Sequence, residues 1–390
     1  MLTYRLASVV VVLLAVGACG SQSAASSASP SPDRSPSTTN PVIVGLDWHL
    51  NGPSTVIVMK LDGSVVATRT LPATWLVDEH AVGAYMLVAN DGSGKAWTVD
   101  ASGAVTDVAP AAAAFLSPPA NGGAWAPPLV VDSTTAVTVG WPNQASMAAY
   151  EVDLRSGGVR TLLTAPETGV TALAPALTVL DMSADRQTVW LRKVTSIGGT
   201  GGELDIVGVN LKTGAVSSQG RADAFASEQD LAISRDGKAV AGQEGFGIDA
   251  NHLAIRHLHV ISLGSKADTD LQGAAPYVGG QRSPSVLFAP GGASVAWWGG
   301  LDNGDNTFLV NVAVLGGAGR SLFRLDSPGG TRELVSVMWA DPTTLLVQTD
   351  TTTTPGSFQG SDLQAFTIDA ASGVVKPLPA ALHYVVAVLN

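Results

Sequence analysis

Three of the six histidines fall close together, in Asn251-His252-Leu253-Ala254-Ile255-Arg256-His257-Leu258-His259. Side chains alternate along a strand, so His257 and His259 would share a face. Two imidazoles at that spacing could chelate zinc or copper, with His252 or an acid from elsewhere in the fold completing the set. No third ligand can be identified, and the plainer reading is a strand whose histidines sit at a sheet rim or pack between sheets. His49, His80 and His383 are isolated and read as structural or surface residues. Asp302-Asn303-Gly304-Asp305-Asn306 has oxygens at calcium-like spacing but lacks the downstream bidentate Glu, and the same residues suit a hairpin tip. Gly198-Gly199-Thr200-Gly201-Gly202 lacks the Lys-Ser/Thr and helix start of a phosphate loop and also reads as a hairpin tip. No Gly-x-Ser-x-Gly elbow occurs, and with seven glutamates no carboxylate pair can be placed for glycoside hydrolysis. Trp297-Trp298 would put one indole on each face of a strand, as core packing does. The sequence therefore assigns no catalytic residue, no cofactor and no metal site beyond the weak trio His252, His257 and His259.

The chain has one cysteine, which excludes an internal disulfide. It sits at the end of an export-type segment. Arg5 and the amino terminus are positive, Leu6 to Val16 is apolar and shorter than the roughly 20 residues a spanning helix needs, and Val16-Gly17-Ala18-Cys19 follows. That ending resembles the lipobox of bacterial lipoproteins. The resemblance implies a signal peptide over 1–18, cleavage before Cys19, diacylglycerol and palmitate on its thiol, and a lipid anchor at the extracytoplasmic face of the cell membrane. Residues 19–41 have Ser and Pro but no large apolar side chain, the composition of a flexible tether.

From residue 42 two phrases alternate. One is an apolar strand, a tight turn and a second apolar strand, best seen in Leu231-Ala232-Ile233-Ser234-Arg235-Asp236-Gly237-Lys238-Ala239-Val240-Ala241; aligned on Ser183, Ser234, Ala289 and Trp339, its copies are 51, 55 and 50 residues apart. The other is a strand ending in Asp or Asn before a Gly turn, as in Val152-Asp153-Leu154-Arg155-Ser156-Gly157, Val209-Asn210-Leu211-Lys212-Thr213-Gly214 and Ile368-Asp369-Ala370-Ala371-Ser372-Gly373. Two hairpins per period of about 50 describe a four-stranded sheet, and radial repetition of such sheets makes an all-β propeller. Units near 42–72, 80–110, 128–166, 178–220, 229–273, 284–325 and 335–380 give seven blades over 42–390, with six or eight left open. The closing run Tyr384-Val385-Val386-Ala387-Val388-Leu389 is expected to pair in the blade of Val42-Ile43-Val44-Gly45-Leu46 and lock the ring. The first phrase resembles the WD40-like repeat of TolB-type propellers, with Arg235 in place of its Pro and Pro290 keeping it. The motif specifies a turn rather than a chemistry, so a protein-recruiting role follows only by analogy.

Net charge is −11 with a pI near 4.9 and no basic run, which argues against nucleic-acid binding. Abundant Arg, Ala, Gly and Pro fit a high-GC, actinobacterial genome. The expected function is a monomeric, non-enzymatic propeller scaffold that binds an envelope protein or glycan; the alternative is a hydrolase, lyase or lactonase with its site in the central channel. The polar segment Thr349 to Asp362 is long for a hairpin connection, and Phe358, its one large apolar residue, is the candidate partner contact.

Overall fold

A computed structural model describes residues 40–47, 52–72, 74–76, 80–89, 93–116, 128–143, 146–166, 176–198, 201–225, 231–248, 254–271, 285–301, 307–327, 332–351, 363–378 and 384–389. Those residues form seven antiparallel sheets. Blade I spans Val42–Leu71, blade II Thr74–Asp107, blade III Leu129–Pro166, blade IV Leu177–Arg221, blade V Ala232–Asp270, blade VI Ser285–Leu325 and blade VII Arg332–Pro377. Each is a four-stranded meander in chain order, with two departures. From blade IV round to blade I the first strands of successive blades contact one another, so they are the inner strands around the axis. The fold is a seven-bladed β-propeller, which settles the blade number left open by the sequence.

The repeat has a local cause in its turns. In the second phrase Asp153 Oδ1 accepts from the backbone N–H of Arg155 at 2.8 Å and of Ser156 at 3.0 Å; Asn210 and Asp369 do the same in blades IV and VII. In the first phrase Ser234 Oγ donates to Asp236 at 2.7 Å while accepting from the N–H of Ala239 at 3.0 Å. Each turn thus supplies partners to its own backbone. Gly237 has φ 72° and faces the Trp190 indole, which would lie 2.6 Å from an added Cβ; both constraints exclude a side chain there.

These bonds favour ionised aspartates. Backbone donors hold Asp153 below the ordinary 3.8, and side-chain hydroxyls do so for Asp62 (Ser64), Asp185 (Ser183) and Asp369 (Ser372). A carboxyl lowered in the folded state contributes stability above its unfolded pKa and loses it as pH falls through its folded value. The triple variant Asp62→Asn, Asp153→Asn and Asp369→Asn should therefore show a flatter loss of stability between about pH 4 and pH 2 than wild type in acid-titrated urea melts. Parallel profiles would contradict this account.

The core lies between blades. Val137, Val139, Leu177 and Leu191 pack blade III on blade IV, and Val310, Val337, Leu345 and Val347 pack blade VI on blade VII. Each blade is covered on both faces, which is why strands such as Val295-Ala296-Trp297-Trp298 are continuously apolar. Trp297 packs toward blade V and Trp298 toward blade VII, as expected. Two other indoles tie blades by hydrogen bonds: Trp190 Nε1 donates to Arg235 O at 3.3 Å, and Trp339 Nε1 to Leu287 O at 3.1 Å.

The first departure is the closure. Tyr384–Leu389 is the inner strand of blade I and pairs with Val42–Asp47, Val42 opposite Leu389 and Leu46 opposite Tyr384, as the sequence led us to expect. The second lies between blades II and III. His80–Ala81 adds in parallel to the inner edge of Leu129–Asp132, and Val82 donates to Val130 O at 3.0 Å. Gly83 sits so close beneath Arg186 and Val131 O that an added Cβ would lie 2.3 and 2.5 Å from them. A helix, Pro110–Leu116, wedges Ala112, Ala113 and Leu116 into the same blade pair, with Phe115 edge-on to Tyr150 at 5.3 Å.

The two ends of the ring differ. First-to-second and third-to-fourth connections lie at one end, here the turn face, and their hairpins are short. The other end, here the loop face, takes the longer connections, including residues 271–284 and 352–363.

Candidate functional site: the polar cluster at the ring closure

Buried polar groups concentrate in one blade. Of the twelve buried polar or charged residues among the described ones, Glu333, Gln348, Thr349 and Asp350 lie in blade VII and Ser327 just before it. All sit toward the loop face, where the inner strand Arg332–Asp341 begins and the strand Thr344–Thr351 ends.

Register divides the cluster between two faces. Arg332 pairs with Thr351, Glu333 with Asp350 and Leu334 with Thr349. On the face toward blade VI, Arg332 donates to Gln364 Oε1 at 2.6 Å, Thr351 Oγ1 at 3.2 Å and Thr349 Oγ1 at 3.3 Å; its backbone N–H donates to Ser327 Oγ at 2.7 Å. On the face toward blade I, Glu333 and Asp350 stand opposite each other, 8% and 1% exposed. Gln348 shares that face, and its Oε1 accepts from the backbone N–H of Val385 at 3.2 Å. That bond crosses from the last blade to the closing strand. Tyr384, which begins the closing strand, has its hydroxyl pKa raised by burial and then by the negative charge of Asp350. The arrangement offers a guanidinium, two carboxylates, two carboxamides and several hydroxyls, a set suited to hydrogen-bonding recognition and to fixing the closure. Among the described residues no three His, Cys, Asp or Glu side chains are grouped to hold a metal.

Much of this cluster lies where the sequence reading put a loop. The strand runs to Thr351, so Thr349-Asp350-Thr351 is strand rather than the start of a solvated insertion. Polarity hid it; the signal available was the uninterrupted continuation of Leu345-Leu346-Val347 through β-favouring threonines. Of the histidine trio only His259 has a described side chain. His259 Nδ1 lies 2.8 Å from Asp268 Oδ1 across a hairpin, and its side chain is only 15% exposed. His257 lies opposite Glu244 on the strand Ala254–Ser262, and its side chain is outside the described residues, as are His252, Cys19 and Phe358. Gly198 pairs with Gly201, so the glycine run is a hairpin tip. Asp302 to Asn306 lie outside the described residues.

The chain matches no known family model and no curated protein. Among solved structures it is similar to β-propellers. They include TolB from Acinetobacter baumannii, at 13% identity over 89% of this chain and 82% of that one, with a TM-score of 0.42. The β-propeller domain of the Trilobed protease from Pyrococcus furiosus is 10% identical over 86% and 93%, TM-score 0.46. Puromycin hydrolase is 15% identical over 88% of this chain and 54% of its own length, TM-score 0.47. Such likenesses concern fold alone and give no residue a role. The class is that of a seven-bladed β-propeller closed by its carboxy-terminal strand, with TolB-type propellers among its structural neighbours.

Proposed function

We propose that this chain is a lipid-anchored binding scaffold on the extracytoplasmic face of a cell membrane. Cys19 carries the anchor, residues 20–41 space the ring from the bilayer, and the loop face receives an envelope protein or glycan. The observation that carries the binding reading is the asymmetry of the two faces. Turn-face hairpins bond mainly to themselves, whereas the loop face combines the long connections with the buried polar cluster around Arg332 and Asp350. Long connections on a rigid ring are where partners bind. Phe358, in the connection 352–363, is the proposed contact on that face. Channel catalysis is the alternative, but the buried carboxylates Glu333 and Asp350 lie between blades VII and I, and among the described residues no three His, Cys, Asp or Glu side chains are grouped to hold a metal.

Cells fed labelled palmitate should label the wild type and not Cys19→Ala, and the variant should leave the membrane fraction. Equal labelling of both would overturn the anchor. A photoreactive residue at position 358 in intact cells should yield a discrete crosslinked species that is lost when 352–363 is shortened. A smear, or no product, would overturn the partner contact.

A further inference from the structure

All the large apolar side chains left exposed among the described residues lie at one end of the ring. Val65, Val159, Val216 and Val375 each begin the fourth strand of a blade, and Val314 ends a third strand. These positions are on the turn face, spread over blades I, III, IV, VI and VII, with exposure reaching 62% at Val314. Single exposed valines are ordinary; their confinement to one rim is not.

Two further observations select the same end. The chain enters blade I at Val42, which pairs with Lys60 and Leu389, both at the turn face. Five of the seven lysines, Lys60, Lys212, Lys238, Lys266 and Lys376, also lie there, on a chain of net charge −11. Arg155, Arg186, Arg235 and Arg320 lie there as well, so basic groups match the turn aspartates; this face is the least repelled by an anionic surface, while the excess acid lies elsewhere.

We propose that the turn face lies against the bilayer, the valine rim and lysines resting in the headgroup region of anionic phospholipid, with the loop face turned outward. The inference rests on the reading of Cys19 as the anchor. The tether, residues 19–41, has a root-mean-square span of roughly 25 Å if flexible, too long to impose an orientation by itself. It nonetheless makes docking intramolecular, at high effective concentration, so a rim of weak contacts suffices to bias the ring.

The test uses the full acylated chain reconstituted into vesicles of phosphatidylcholine and phosphatidylglycerol with brominated acyl chains. Cys19 is acylated, so a single introduced cysteine takes a polarity-sensitive dye at one place. Dye at Val216→Cys and Val314→Cys should be quenched several-fold more than dye at Thr195→Cys, an exposed position toward the loop face of blade IV. Equal quenching at the three positions, or strongest quenching at 195, overturns the orientation. Flotation of the same sample separates the two readings. A chain that floats without preferential quenching keeps its anchor and loses the proposed face; one that fails to float loses both.

Discussion

Truncation after Leu382 is expected to abolish cooperative folding of the propeller. The truncated chain lacks the inner strand of blade I and exposes the edge of Val42–Asp47 along the axis. Val385, Val388 and Leu389 are each under 10% exposed, and burial of such side chains stabilises by about 1.5–3 kcal/mol apiece. The total lost is about 5–9 kcal/mol, comparable with the whole stability of an ordinary domain. The bond from Val385 N–H to Gln348 goes as well, leaving Gln348 in an interface that has lost its cover. Gel filtration should show aggregation or a large expansion, and circular dichroism should show no sharp melt. A cooperative melt within a degree or two of wild type would refute the closure as the source of ring stability.

The second large effect is expected at Trp190. Its indole lies between blades IV and V, against Gly208 and Gly237, and its Nε1 donates to Arg235 O at 3.3 Å. Trp190→Ala should cost about 3–5 kcal/mol, because the rigid turn around Gly237 cannot collapse into the space left. Trp190→Phe keeps most of the packing and loses mainly the hydrogen bond, at about 1 kcal/mol. Urea melts should order the variants wild type, Phe, Ala. Equal costs for Phe and Ala would place the stabilisation in the hydrogen bond alone. The opposite indole, Trp339 on Leu287 O, provides an independent pair for the same comparison.

The extent to which this fold was legible follows from how local its determinants are. Asp153, Asn210 and Asp369 bond only to residues two and three positions on, so their turns can be read from a few adjacent letters. Repetition of that grammar at a period near 50 gave the blades, and an apolar run at each end of the ring gave the closure. The polar cluster was less visible. Glu333 and Asp350 become neighbours only through a strand register, and Gln348 meets Val385 only after the last blade reaches the first. The fifth strand at His80–Ala81 and the helix Pro110–Leu116 were missed for a related reason: each is short, and each forms against the gap between blades II and III.

His259 shows the limit most plainly. Spacing placed it with His257 on one strand, as the fold has it, whereas its hydrogen bond to Asp268 on the next strand is set by the hairpin between them. Sequence alone determined the repeat, the turn chemistry and the closing strand. The tertiary structure decided the number of blades, which carboxylates are buried together and which end of the ring collects the exposed valines. The division has a physical basis. Turn bonds and alternation are satisfied within a few residues, whereas burial depends on groups far apart in the chain that meet only when the ring closes.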